Sequence, residues 1–333
     1  MSMHQKDYAI SFARCIAMVS IVLCHFWQHY GSNLAWIFNF GVQMFLFISG
    51  YLYSGKQITN VLVFYKKNAI KLLVDYYIYI FIFMAVIALP GGMNMERHTV
   101  FNMLILKDFP LEIGQFWFLP YILFCYGITP LLHAVLDEID QRNGVCYLVS
   151  CVLLLCFVEV TLRNYLPYFA PVWIDSYILG MIIRRCKHKK ETFWKRLNVF
   201  LWICCAITNG TIFFYLNQLT KPQSSLFYEW FHYSHMLLAI CSVLFLHWMF
   251  RLWGQIPSFL TAILDWSDTY SYDIYIVHNL FIQGTYSVLK MVESKVISIL
   301  LACVLTLVSG MLLNKVSQRC KEKLFSPKGI HST

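Results

Sequence analysis

Charge is what this chain has least of. Only 13% of its 333 residues are Asp, Glu, Lys or Arg, against about 25% in an ordinary soluble domain, which excludes a water-soluble globular fold. Twelve cysteines are present, but most sit inside apolar runs and none forms a spaced pair in an extramembrane loop. Neither a disulfide framework nor a zinc site is therefore indicated. No internal repeat is evident. No basic segment is interleaved with aromatics as a nucleic-acid surface would be, so nucleic acid is not an expected partner. The first apolar run is too long for a signal-peptide core and lacks an Ala-x-Ala type cleavage site, so it is expected to be kept as a helix. No stretch between runs can bury a core of its own. The longest outer one, about 90 to 115, is opened by Pro90, Gly91 and Gly92 and reads as a lid across the bundle mouth.

What the chain does have is apolar length. Hydrophobic residues make up 59% and the mean hydropathy is +0.59. Apolar runs of about 17 to 23 residues lie near 8–28, 34–54, 72–89, 116–136, 145–162, 168–183, 197–217, 230–250, 268–289 and 296–314. They predict an all-α polytopic membrane helix bundle of about ten transmembrane helices, one integral-membrane domain over 1–333 with a basic cytoplasmic tail at 315–333. With the N-terminus inside, 19 of the 26 Lys and Arg fall on the inner side, 6 on the outer side, and Arg14 within the membrane. That asymmetry puts both termini in the cytoplasm, and it accounts for most of the net charge of +9. The expected location is the plasma (inner) membrane. The segments 55–71 and 184–196 read as short basic inner loops, set against lipid headgroups or an anionic soluble ligand. Membrane lipids are expected partners, and a homodimer is left open.

Arg14 and His25 stand out because they lie inside the first run. A cation at bilayer depth costs roughly 2.5 to 3.5 kcal/mol on insertion scales, so such groups face a protein interior and mark a functional path. Their spacing of eleven residues is close to three helical turns, which puts them on one face, roughly 16 Å apart along the axis. Met18 and Ile21 lie between them.

The second run carries Phe45-Leu46-Phe47-Ile48-Ser49-Gly50. Together with Arg14-x10-His25 it resembles the acyltransferase 3 family of integral-membrane O-acyltransferases. Trp117-Phe118-Leu119, followed by Tyr126 and Pro130, is similar to that family's Trp-Phe-Leu segment, and Ser271-Tyr272-x2-Tyr275-x2-His278 to its late Ser-Tyr-x-x-Tyr-Leu-x-His segment. The four pieces come in the right order over nearly the whole chain. The resemblance implies transfer of an acyl group, commonly acetyl from acetyl-CoA, to a hydroxyl of a carbohydrate or lipid-linked glycan. Ser11 stands where relatives often carry an acidic residue three before the arginine. Asp7, one turn further back, is the candidate to replace it as the partner of Arg14. The family's inner-loop arginines appear here as Lys66, Lys67 and Lys71.

Acyl transfer from a thioester to a hydroxyl needs a base for the hydroxyl proton, and His titrates nearest neutrality. His25 is the candidate base. Arg14, with Lys66, Lys67 and Lys71, is assigned to the phosphates or amide-rich arm of CoA, because guanidinium suits phosphate. Ser49 either lines the donor tunnel or, with Gly50, lets helices approach. Trp117 is a sugar platform or an interfacial anchor, while Tyr275 and His278 could orient His25 or the acceptor. Glu229, His232 and His235 stand at i, i+3, i+6, as metal ligands, a sugar-binding rim or a solvated interface; no metal is expected. Glu159, Arg163 and Asp175 read as local charge pairing near the outer face. The alternative from another class is a proton-coupled transporter of an anionic solute, in which Arg14, His25 and His278 relay protons.

Overall fold

The computed structural model describes residues 6–32, 34–88, 97–187, 189–218, 225–253, 255–284 and 287–325, and helix is the only regular secondary structure among them. The α-helices are α1 (Tyr8–His29), α2 (Leu34–Phe38), α3 (Gly41–Ser54), α4 (Val61–Ile82), α5 (Arg97–Leu104), α6 (Phe118–Asp140), α7 (Gly144–Tyr165), α8 (Pro171–Cys186), α9 (Glu191–Gln218), α10 (Ser225–Trp253), α11 (Ser258–Ile282), α12 (Val288–Met291) and α13 (Lys295–Phe325). A π-helical turn, Phe83–Ala88, prolongs α4, and a 3₁₀ segment, Leu111–Trp117, leads into α6. The all-α expectation holds. Pro90, Gly91 and Gly92, which open the expected lid, lie outside the described residues, as do residues 326–333 of the expected tail.

Each predicted apolar run is largely helical among the described residues, but seven helical stretches rather than ten are long and apolar enough to cross a membrane there. They make the chain a multi-pass membrane protein. The stretches falling short are α8, α9 and α11. The sixteen residues of α8 are fewer than the ≈ 20 that span a hydrocarbon core. Helix α11 carries Asp265, Asp268 and Asp273. Such residues dilute the hydropathy that marks a span.

The bounds also move, and the reason is local. Helix α4 starts at Val61 rather than 72, because Asn60 is extended and its side-chain oxygen accepts from the Val63 N–H at 3.0 Å, capping a first-turn donor. Lys66, Lys67 and Lys71 are therefore helical, not loop residues. The 184–196 loop contracts likewise, because α8 runs to Cys186 and α9 begins at Glu191. The second run is broken between Phe38 and Gly41, α11 begins at Ser258 rather than 268, and α13 continues through 315–325, the first part of the predicted tail.

The chain divides into two compact units: one of Met1–Ile21, Trp36–Thr59 and Phe124–Asp268, the other of Val22–Ala35, Asn60–Leu123 and Thr269–Thr333. In the first unit α3 and α8 pack backbone to backbone. A Cβ at Gly50 would lie 1.9 Å from the Tyr177 carbonyl oxygen, and one at Gly180 2.1 Å from that of Phe47. Lipid tails are as apolar as side chains, so helix association inside a membrane rests on such close packing rather than on exclusion of water. The second unit has a core of Phe26, Ile282, Val288, Leu289 and Ala302. There α13 lies along α4, joined by a buried ion pair of Lys321 Nζ with Asp75 Oδ2 at 2.6 Å. Asn314 on α13 donates to Asp273 Oδ2 at 2.7 Å. By contrast α7 exposes Val145, Val152, Leu153 and Phe157, and α13 exposes Leu300, Val304 and Leu312. Those faces suit hydrocarbon.

Candidate active site

His25 and His278 come together in the second unit. Their ring centroids are 5.0 Å apart at an interplanar angle of 47°. His278 is fully buried, and its Nδ1 lies 2.6 Å from the Tyr275 carbonyl oxygen. A carbonyl can only accept, so Nδ1 carries the proton and Nε2 keeps its lone pair. That Nε2 and the Nδ1 of His25 are both buried and without a hydrogen-bond partner among the described residues. His25 as a whole is partly exposed, and Gln283 Nε2 donates to its backbone oxygen at 3.0 Å. The pair thus consists of one imidazole locked in a single tautomer and a second, on a partly exposed residue, whose Nδ1 is buried beside it.

The framework that locks it starts from a buried glutamine. Gln115 Nε2 donates to the Ile276 oxygen at 2.7 Å, and the Tyr275 hydroxyl donates back to the Gln115 carbonyl. These bonds tie the 3₁₀ segment to α11 one turn before His278. Phe118 meets the Tyr275 ring edge-on at 5.8 Å, and the Tyr272 hydroxyl donates to the Leu72 oxygen at 3.0 Å. Trp117 packs edge-on against Tyr121 at 5.6 Å and stays partly exposed. Tyr275 and His278 therefore share one hydrogen-bonded framework, against which the His25 ring packs. Trp117 stands on the same short segment as Gln115.

Arg14 lies in the first unit, and its partner there is not Asp7. Arg14 Nη1 donates to Asp268 Oδ1 at 2.7 Å, the Ser11 hydroxyl donates to Oδ2 of the same carboxylate at 2.6 Å, and Lys6 Nζ stands 2.8 Å from it. Asp7 instead caps α1, accepting from the Ala9 N–H at 3.1 Å, with His247 3.6 Å away. The reason is geometric: a residue preceding the first turn points its carboxylate at the free N–H groups of that turn, where the helix dipole also favours it. Burial opposes the charge of Lys6, but the hydrogen bonds it donates to Asp265 and Asp268 outweigh it and raise its ammonium above the usual value. The Arg14 side chain remains 28% exposed and spends one of its five donors on Asp268, so part of its fork is open to a ligand. Asp268 is one of three acids on α11, with Asp265 and Asp273, and an acid inside a membrane helix is a default functional signal.

The other candidates scatter. Ser49 hydrogen-bonds with Tyr126, beside the glycine contact of α3. Lys66, Lys67 and Lys71 are exposed on the N-terminal half of α4. Glu229 is held by Arg163, whose Nη1 and Nη2 donate to its two oxygens at 2.8 and 2.9 Å while Nε reaches Glu159 at 2.5 Å. The Tyr233 hydroxyl donates to Glu159 at 2.7 Å and lies 3.4 Å from Asp175. The charge-pairing reading of Glu159 and Arg163 thus holds and extends to Glu229. His232 packs on Trp173, and His235 on Phe231, so Glu229, His232 and His235 do not converge. Among the described residues no three His, Cys, Asp or Glu side chains form a metal-binding group.

A sequence profile described as an acyltransferase domain matches residues 7–315. No curated protein and no solved structure matches the chain at a significant level. The matched span begins before Arg14 and ends beyond His278 and Asn314, taking in both clusters. The chain belongs to the acyltransferase 3 family.

Proposed function

We propose that this membrane acyltransferase is an O-acetyltransferase of the plasma (inner) membrane, moving acetyl from cytoplasmic acetyl-CoA to a hydroxyl of a carbohydrate or lipid-linked glycan, with His25 as general base. The observation that carries this reading is the His25–His278 pair, in which His278 is held in one tautomer and His25 is a partly exposed residue. As the acceptor oxygen attacks the acetyl carbon, His25 takes the hydroxyl proton. The C–S bond then breaks, and the proton passes to the departing CoA thiolate. His278 holds the His25 ring in place through its fixed orientation. A base of this kind contributes about 10²- to 10⁴-fold. Arg14, with its fork partly open, contacts the donor, Lys66, Lys67 and Lys71 draw its phosphates, and Ser49 lines its path. Trp117 and Tyr275 support the acceptor side.

The test uses purified full-length protein in detergent, acetyl-CoA and a panel of glycans, read by mass spectrometry for an added acetyl group and by release of free CoA thiol. Wild type is expected to bind acetyl-CoA and transfer its acetyl group, and folded His25→Ala to bind the donor but lose transfer. Normal transfer by His25→Ala removes the base assignment. Absence of acetyl-CoA binding up to millimolar donor removes the donor assignment and favours the proton-coupled transporter.

A further inference from the structure

We propose that the cavity at the start of α7, beside the link from α8 to α9, binds a phosphate group, presented either by an anionic lipid headgroup or by a soluble nucleotide. The cavity has a volume of about 480 Å³ and lies wholly within the first unit. That is the size of a small-molecule site rather than of a single ion. Among the described residues three cations line it, Lys189, Lys190 and Arg196, and no acidic residue does.

Two neighbouring acids, Asp140 and Glu191, are already engaged with cations. Asp140 takes Arg185 at 2.8 Å and lies 3.7 Å from Lys189. Glu191 takes Lys195 at 2.8 Å, a cation that does not line the cavity. Lys189 is fixed by donating to the Asp140 carbonyl at 2.7 Å, and its ammonium sits 4.6 Å from the centre of the Tyr147 ring. Lys190 and Arg196 are exposed and have no ion-pair partner among the described residues. Basic residues kept only for membrane orientation have no need to converge on a hollow. These do.

The remaining walls suit a phosphate carried on a larger group. Tyr147, buried, meets Phe193 edge-on at 6.1 Å, giving an aromatic floor that can take a glycerol backbone or a nucleobase. Thr192 adds a hydroxyl. Helix α7 enters through Gly144 at φ +58°, and Asn143 makes no side-chain cap bond, so the cap residue leaves the first-turn N–H groups uncovered. A phosphate beside Lys190 and Arg196 thus meets a fork, an ammonium and a positively polarised helix start together.

The experiment is calorimetry on the detergent-solubilised full chain with two probes, adenosine 3′,5′-bisphosphate and short-chain phosphatidylglycerol below its micelle concentration, with short-chain phosphatidylcholine as reference. Wild type should bind at least one anionic probe, and added salt should weaken binding. The double variant Lys190→Gln/Arg196→Gln should lose on the order of tenfold in affinity. Thr192→Glu, which places a carboxylate on the cavity wall in the first turn of α9, where helices accept acids, should do the same with an unchanged melting temperature. Lys195→Gln should bind as wild type does. Binding of the bisphosphate identifies a nucleotide as the source, and binding of phosphatidylglycerol but not phosphatidylcholine identifies a lipid. The proposal is overturned if wild type binds neither anion at millimolar concentration, if the double variant binds unchanged, or if Lys195→Gln weakens binding equally.

Discussion

At the scale of single residues, the spacing of Arg14 and His25 was readable because a membrane makes any interior polar group conspicuous. Their partners were not, since Asp268 lies 254 residues from Arg14 in sequence and α11 gives no local sign of what it packs on. Asp268 accepts from Ser11 and Arg14 and pairs with Lys6, so its removal should act in two ways. Asp268→Ala should lower stability by about 1 to 3 kcal/mol, through loss of charge-assisted hydrogen bonds at a partly exposed site. It should also free Arg14 to swing. As a positioning effect, that should raise the KM for acetyl-CoA severalfold while kcat changes little. Steady-state kinetics on folded protein decides the matter, and an equal fall in kcat with unchanged KM would place Asp268 in the chemical step. His278 was readable only through the resemblance, because the Tyr275 carbonyl that fixes its tautomer is a backbone group and leaves no mark in a sequence.

At the scale of elements, the pairing of α3 with α8 rests on two glycines, of which one stands in the Ser49-Gly50 motif. Gly50→Ala would drive a methyl group into the Tyr177 backbone, which no side-chain rotation can relieve. The expected loss is about 1 to 3 kcal/mol or more, seen as a lower melting temperature in detergent. Gly210→Ala, where an added Cβ meets nothing within 4 Å, should be neutral or stabilising. The pairing of α4 with α13 rests instead on charge. Lys321→Met would strand the buried Asp75 carboxylate at a cost of about 3 to 5 kcal/mol, whereas Lys321→Met/Asp75→Leu should recover most of it. A double-mutant cycle on thermal or denaturant unfolding measures the coupling, and additive losses would show that the two side chains act independently. These elements also explain where sequence reading stopped short. Hydropathy locates the apolar part of a helix and is blind to the polar turns beyond it, so the capped start of α4 passed for a loop and the end of α13 for a tail.

At the scale of the whole chain, the number of spans decides which compartment each terminus occupies. Seven crossings would place the two ends on opposite sides of the membrane; ten would place them on the same side, which the distribution of Lys and Arg predicts to be the cytoplasm. Reporter domains fused after Leu166, Lys190 and Phe325 test this directly. The ten-span arrangement predicts an outer location for the first and cytoplasmic locations for the other two. An outer-side signal after Phe325 would leave α8, α9 and α11 not all crossing. Acidic residues on α11 hide this helix from a hydropathy count, and two of them, Asp268 and Asp273, make contacts inside the first and second units respectively. Helix α13 carries a practical lesson of its own. Membrane proteins are commonly trimmed for expression where the apolar run stops, here near Asn314, and a chain cut there would lose Lys321 and leave Asp75 alone in a buried setting. The safe place to shorten this protein, or to attach a purification handle, is beyond Phe325.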